Sequence, residues 1–337
     1  MKLAVKLLTS TAFMMGFAVV VSLLTNDYIT GLFPDFLAGK DNAGLRSNIT
    51  IILLACMLTI TLSRIPYTDL NPLKNSKSVL RATILGLVIA STVPLIAYFL
   101  LKDMDGYSQY APGLVFIAAT PFAASVGPLS LILRGDLQHA LRSTIVVYVI
   151  ALVWIPFIIW ATMGKSVDMM TVVITVIEII GIPLVVSRLF TKIQIDKTHM
   201  SIILNITIAF LVWLSVGSTN FGSAGLTVLA VFMVIAALRD IGLGLGAEVV
   251  EKKMEIPWSQ RVTDILMISY KNKGIAIALC GAVMGPLSAV AMVPIAASIV
   301  VEVCWVAFMD SVLFSKKRME KELSQESAAG IHQVWEN

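Results

Sequence analysis

Charge is scarce in this sequence. Asp, Glu, Lys and Arg make up 14% of its 337 residues, where a soluble domain carries about a quarter. A water-facing surface of that size needs charge to stay dissolved, so the deficit excludes an ordinary soluble globule. It makes the bilayer the solvent that suits the chain. Cysteine is nearly absent: Cys56, Cys280 and Cys304 sit in apolar stretches without ligand-like spacing, which excludes a disulfide framework and a zinc site. The histidines His139, His199 and His332 are scattered, so neither a metal cluster nor a cofactor is expected. Aromatic content is 8% with no legible cage, which argues against a quaternary amine ligand. No activated Ser or Cys constellation and no nucleotide-binding loop can be found, so an enzyme has no support. The net charge of +4 is not gathered into a basic face with interleaved aromatics, which argues against a nucleic-acid partner.

What is present is apolar sequence: 58% of residues, with a mean hydropathy of +0.89. A spanning helix needs roughly 20 mostly apolar residues. Windows of that kind fall at 7–25, 48–63, 80–101, 112–133, 141–163, 168–187, 200–217, 224–245, 260–284 and 287–314. Residues 2–24 also have the look of a secretory signal, but no small-residue cleavage site follows, and they are expected to form the first helix, uncleaved. Lys and Arg in alternate loops provide an independent check. Eighteen of the 25 fall on one side and four on the other (Lys40, Arg46, Lys102, Lys165), while Arg239, Lys271 and Lys273 lie within spans. The expected topology is therefore ten helices in the cytoplasmic membrane with both termini cytoplasmic. Residues 1–165 would form one five-helix half, 166–314 a second, and 315–337 a cytoplasmic tail that is a solvated helix or a disordered end. The stretch from Pro66 to Lys77 reads as an interfacial loop.

Two spans are interrupted. The fourth reads Thr120-Pro121-Phe122-Ala123-Ala124-Ser125-Val126-Gly127-Pro128, and proline removes a backbone donor and clashes with the preceding turn. The ninth reads Ser269-Tyr270-Lys271-Asn272-Lys273-Gly274, and two lysines at that depth must face protein or water, because lipid contact is very costly. Fourth and ninth of ten are matching positions in a five-plus-five inverted repeat. Transporters of that build break corresponding helices near the midplane and use the freed backbone groups to bind ions and substrate. Taken singly, either break is also explained as a packing kink.

At these residues the chain resembles the bile acid:sodium symporter family. The segment Tyr270-Lys271-Asn272-Lys273-Gly274-Ile275-Ala276 resembles the family's ninth-helix motif. Pro121 to Thr144, with Arg134-Gly135-Asp136 and Arg142-Ser143-Thr144, resembles its fourth-to-fifth helix passage. The resemblance implies an all-α polytopic fold with a panel domain (helices 1, 2, 6 and 7) and a core domain (helices 3–5 and 8–10), broken helices 4 and 9 crossing in the core. It implies a monomer, alternating access, and a substrate such as a bile acid, pantoate, pyruvate or another small organic anion.

Departures from the family pattern bear on coupling. The Glu and Gln that sodium-coupled members carry in the ninth-helix motif align with Met267 and Lys271. The expected Ser-Asn of the fourth-helix break is Val126-Gly127, a Ser on helix 5 is Ala140, and Thr144 is retained. Sodium needs hard oxygen ligands, so the usual sodium sites are not expected here; coupling would be to protons or absent. Lys271, with three donors and a positive charge, would occupy the carbonyl cage where sodium sits, and is also a candidate to exchange a proton. The other reading is a fixed counter-charge paired with a carboxylate. Asp264, two helical turns before Lys271, Glu302 in span ten and Glu178 in span six are candidates for that partner. Glu178 in span six and Asn205 in span seven are candidates for substrate or proton contact, and Thr120, Ser125 and Gly127 for the break itself. A sodium-coupled symporter is the alternative within the family. The cysteine that an arsenite exporter needs in the fourth-helix break is absent. A passive channel is the alternative from another class, but it requires a polar stripe along several helices, whereas the polar residues here gather at the two breaks.

Overall fold

The computed structural model describes residues 2–39, 41–65, 76–192, 196–328 and 330, so most of the expected interfacial loop, Lys40 and His332 lie outside the described residues. Every α element within them is a helix: α1 Lys2–Thr9, α2 Thr11–Leu24, α3 Ala43–Ser63, α4 Ser76–Thr83, α5 Ala90–Leu101, α6 Pro112–Ala119, α7 Val126–Ile132, α8 Leu137–Met163, α9 Met169–Val176, α10 Ile182–Val186, α11 Lys197–Gly217, α12 Gly225–Ala237, α13 Leu243–Lys253, α14 Trp258–Ser269, α15 Lys273–Met284, α16 Ser288–Ala291, α17 Val293–Phe308 and α18 Lys316–Ala328. Eight helical segments among the described residues are long and apolar enough to cross a membrane: Ala43–Ser63, Ser76–Leu101, Leu137–Ser166, Met169–Phe190, Thr198–Gly217, Gly225–Lys253, Lys273–Ala291 and Val293–Leu313. Three of the expected spans are divided into shorter pieces, the ninth of them between α14 and α15. The first is cut at Ser10, whose hydroxyl caps α2 by accepting the Phe13 N–H. The fourth is cut between α6 and α7.

Several long segments are continuous but not uniformly α-helical. π-Helical turns occupy Ile84–Ile89 between α4 and α5, Ile177–Gly181 between α9 and α10, Leu238–Gly242 between α12 and α13, and Met309–Leu313 after α17. Such bulges recur at functional sites, and the second and third carry Glu178 and the adjacent pair Arg239-Asp240.

α2 lies along α11, and α3 lies against α10, α11 and the turn at Ile177–Gly181; α5 packs on α6, α6 on α8, α13 on α14, and α12 on α17. α15 touches α3 and α9, α8 touches α9, and α17 touches α2. Large apolar side chains such as Leu54, Leu58, Phe116 and Ile275 fill the interior, while Val153, Leu189, Leu226 and Val185 point outward, as suits a surface bathed in lipid.

The tail corrects the expectation of a solvated or disordered end. α18 is docked, with Glu322 and Glu326 buried. Arg261 on α14 holds three carboxylates, with Nη1 on Glu248 (3.1 Å) and Nη2 on Glu322 (3.1 Å) and Glu326 (2.8 Å). Glu326 also accepts the Trp258 N–H at 3.1 Å, so the tail satisfies one of the open donors at the start of α14. Lys252 donates to Glu322 at 2.5 Å, Arg318 pairs with Glu248, and the Arg261 and Arg318 guanidinium groups lie over the Trp258 ring. A run of acids and bases reads as solvated from sequence alone; its partners are 60 or more residues away in the chain.

Removing Arg261 takes away the cation shared by three buried carboxylates and leaves Glu322 to Lys252 and Glu248 to Arg318, a loss of about 3 kcal/mol. Arg261→Ala is expected to lower the melting temperature and expose the tail to limited proteolysis. Burial raises the Glu322 carboxyl, but the hydrogen bonds and charges of Lys252 and Arg261 outweigh it and hold the group below the usual carboxylate range. Stability from such a group is present above the unfolded value of about 4.3 and is lost as pH falls through the folded value. Proteolysis at the tail is therefore expected to accelerate below about pH 4 and not between pH 5 and 8.

Candidate functional site

The first break falls at Pro121. The residue before a proline is biased away from the α region; Val93 and Ile155 stay helical before Pro94 and Pro156, whereas Thr120 is extended, with φ −74° and ψ 150°. Pro128 breaks nothing: it lies in the first turn of α7, where a missing N–H costs little. The second break contains no proline. There α14 ends at Ser269, Tyr270 takes φ −117° and ψ 82°, and Asn272 restarts the helix by accepting the Ile275 N–H at 3.0 Å.

The two breaks lie side by side and antiparallel. Ala123 donates its N–H to the Tyr270 carbonyl and Asn272 donates its N–H to the Pro121 carbonyl, both at 2.9 Å, with Phe122 opposite Lys271. Each helix supplies the partners that the other lost. Tyr148 of α8 ties the pair together: its hydroxyl donates to the Phe122 carbonyl (3.1 Å) and accepts from the Asn272 amide (2.8 Å). The Phe122 ring needs the space at Gly86, where a Cβ would stand 2.5 Å from it.

Lys271 is buried at this crossing. Its ammonium donates to the carbonyls of Thr120 (2.5 Å) and Ala118 (3.1 Å) and to the Ser91 hydroxyl (3.1 Å). Among the described residues no carboxylate lies within ion-pair distance of it, which corrects the expectation of a paired counter-charge. Asp264 is the clearest correction. Its oxygens face Arg81 Nε at 2.9 Å and His139 Nε2 at 3.0 Å, because the helix that would have put it on the Lys271 face ends at Ser269. His139 in turn meets the Ser78 hydroxyl through Nδ1 at 2.5 Å, and Arg81 reaches Glu251 at 2.8 Å.

Lys273 does find a carboxylate. It pairs with Glu302 of α17 and lies 4.0 Å from Asp240, while Arg239 pairs with Asp240, lies 3.9 Å from Glu302 and donates to the Ser269 carbonyl at 3.4 Å. Arg239, Asp240, Ser91 and Tyr148 are site residues that the sequence analysis did not single out. Two adjacent opposite charges inside an apolar span are a legible signal for the first two; a lone Ser or Tyr in an apolar helix is not.

The remaining candidates are placed as follows. The Thr120 and Thr144 hydroxyls donate back to Ile117 (3.0 Å) and Ala140 (2.7 Å) of their own chain segments. Ser125 lies near the Tyr270 side chain, whose hydroxyl reaches the Met15 sulfur at 3.8 Å. Gly127 packs on α8, where a Cβ would be 3.0 Å from Leu141. Asn205 is committed elsewhere: its amide donates to the Leu8 carbonyl and accepts from Thr11, both at 2.9 Å, which mends the cut at Ser10. Glu178 is half-buried, away from the crossing, and has no partner among the described residues.

Paired helix breaks around a buried polar centre are the build of a carrier. A model of the sodium bile acid symporter family matches residues 49–237, more than half of the chain. The chain belongs to the sodium bile acid symporter family. No curated protein sequence matches it. Family membership and the long apolar helices make it a multi-pass membrane protein of a transporter family. The matched region of this family member holds the first break and Tyr148; Lys271, Lys273 and Glu302 lie beyond it.

Lys273→Met is expected to cost about 3–5 kcal/mol, because Glu302 is left buried with weaker compensation. Lys273→Met combined with Glu302→Gln should recover most of that loss. Unfolding of both variants in mixed micelles measures it.

Proposed function

We propose that this protein is a secondary active carrier that moves a small organic anion across the cytoplasmic membrane by alternating access, both termini being cytoplasmic, with Lys271 fixed where other family members bind sodium. The observation that carries the reading is the coordination of Lys271: two backbone carbonyls and a hydroxyl around an ammonium, with no carboxylate among the described residues in ion-pair reach. Carbonyl and hydroxyl oxygens arranged in this way suit a small cation, and the chain supplies that cation itself. Coupling is then to protons or absent, and Glu178, an unpartnered carboxylate within a span, is the group placed to carry a proton.

An anionic substrate is supported by the charges at the crossing. Lys271, Lys273 and Arg239 stand against Asp240 and Glu302, an excess of one positive charge. Arg239 also leaves its buried Nε and Nη1 without a partner among the described residues. The packing supports a division into a panel of spans one, two, six and seven and a core of the rest, in two inverted five-helix halves acting as a monomer. Within that scheme the α15–α3 and α17–α2 contacts form the sliding boundary.

Melting temperatures in sodium and in choline at matched ionic strength test the proposal. Wild type is expected to show no sodium-specific rise. Lys271→Gln, which empties the cage and supplies an amide oxygen, is expected to gain one. A sodium-specific rise in wild type would restore ordinary sodium symport. In proteoliposomes, Lys271→Ala should lose uptake of small monocarboxylates at least tenfold; unchanged uptake with an unchanged pH profile would remove Lys271 from the mechanism.

A further inference from the structure

Away from the crossing, α3, α11, α15 and α16 enclose a small polar cavity with room for about one water-sized occupant. Gly281, which lines it, lies nine residues along α15 from Asn272, about 13 Å of helix rise. The polar lining is Arg46, Ser47, Thr50, Ser215, Ser218 and Ser288; the remainder is apolar or glycine, and no carboxylate contributes.

The donors are unevenly used. Thr50 and Ser218 donate to carbonyls of their own helices, those of Arg46 and Leu214, at 2.8 Å. Ser47 is only 6% exposed, and its hydroxyl is buried without a hydrogen-bond partner among the described residues, which is costly unless something occupies the cavity. The Ser215 hydroxyl reaches only the Met292 sulfur, at 3.9 Å. Arg46 is 7% exposed; its bonds to the Leu37 and Gly39 carbonyls are both made by Nη1, and the Asp27 carboxylate lies within electrostatic range. Among the described residues no carboxylate lies within ion-pair distance of it.

We infer that this cavity is a binding site for a small monovalent anion, held by the Arg46 guanidinium and the Ser47 and Ser215 hydroxyls. A positive charge with unused O–H donors and no carboxylate in ion-pair reach selects an anion over a cation. The occupant is a single halide ion, since room for about one water-sized particle admits no larger anion. The anion touches α3 and α11 on one side and α15 on the other, so it pins together the surfaces that the proposed carrier cycle must separate. That consequence rests on the alternating-access reading; the site does not.

Melting of the purified full-length protein in chloride, formate and gluconate salts, at fixed pH and fixed sodium, tests the site. Chloride is expected to give a saturable rise of about 2–4 °C over gluconate. Ser47→Ala, a small change in α3, and Arg46→Gln should each abolish it. A rise in chloride alone supports the inference; an equal rise in formate, which the space does not admit, assigns the effect to salt in general and overturns it. No rise in either salt, or a rise that persists in both variants, overturns it. Because the readout is binding, a failure here is distinct from a failure of transport.

Discussion

Backbone hydrogen bonding between two broken helices is the constraint on which the rest of this protein depends. A membrane interior provides no water for exposed N–H and C=O groups, so a break in a helix must find its partners in protein. Here the extended stretch after Thr120 and the turn at Tyr270–Asn272 satisfy each other through the Ala123–Tyr270 and Asn272–Pro121 bonds. The arrangement is mutual, so neither break is stable without the other. It also holds carbonyls inward, those of Ala118 and Thr120, and a cation is needed to meet them. Lys271 meets that need.

Charge burial follows from the same geometry. Once the second break carries Lys271 and Lys273 inside, compensation has to come from neighbouring helices: the Ser91 hydroxyl and the Ala118 and Thr120 carbonyls meet Lys271, and the carboxylates of Glu302 and Asp240 face Lys273. The π-helical turn at Leu238–Gly242 accommodates Arg239 and Asp240 there. A second network, around Arg261, Arg81 and His139, anchors the start of α14 to the tail, α4 and α8. The half-helix before the break is thus fastened by ion pairs at one end and by the strand-like pairing at the other.

Much of this was legible without coordinates. Scarcity of charge and the length of the apolar windows determined a helical, membrane-spanning chain, because hydropathy is local and the bilayer sets a length. Pro121 marked the first break through the bias it places on the conformation of Thr120. The lysines of the second marked a buried polar centre through their cost in lipid. The finer count of spans, the inverted repeat and the orientation rest on patterning and are carried as part of the proposed function.

Only the tertiary structure decided who meets whom. Helical periodicity put Asp264 under Lys271, but periodicity ends where the helix ends, and at Ser269 the backbone turns away. Glu302 faces Lys273 and not Lys271, and Asn205 mends a cut almost 200 residues earlier in the chain. The charged tail is a buried clamp because of an arginine more than 60 residues before its glutamates. Composition and spacing determine what each segment must do with its own backbone and surface. Pairings between segments depend on how helices are laid against one another, and a one-dimensional pattern does not encode that.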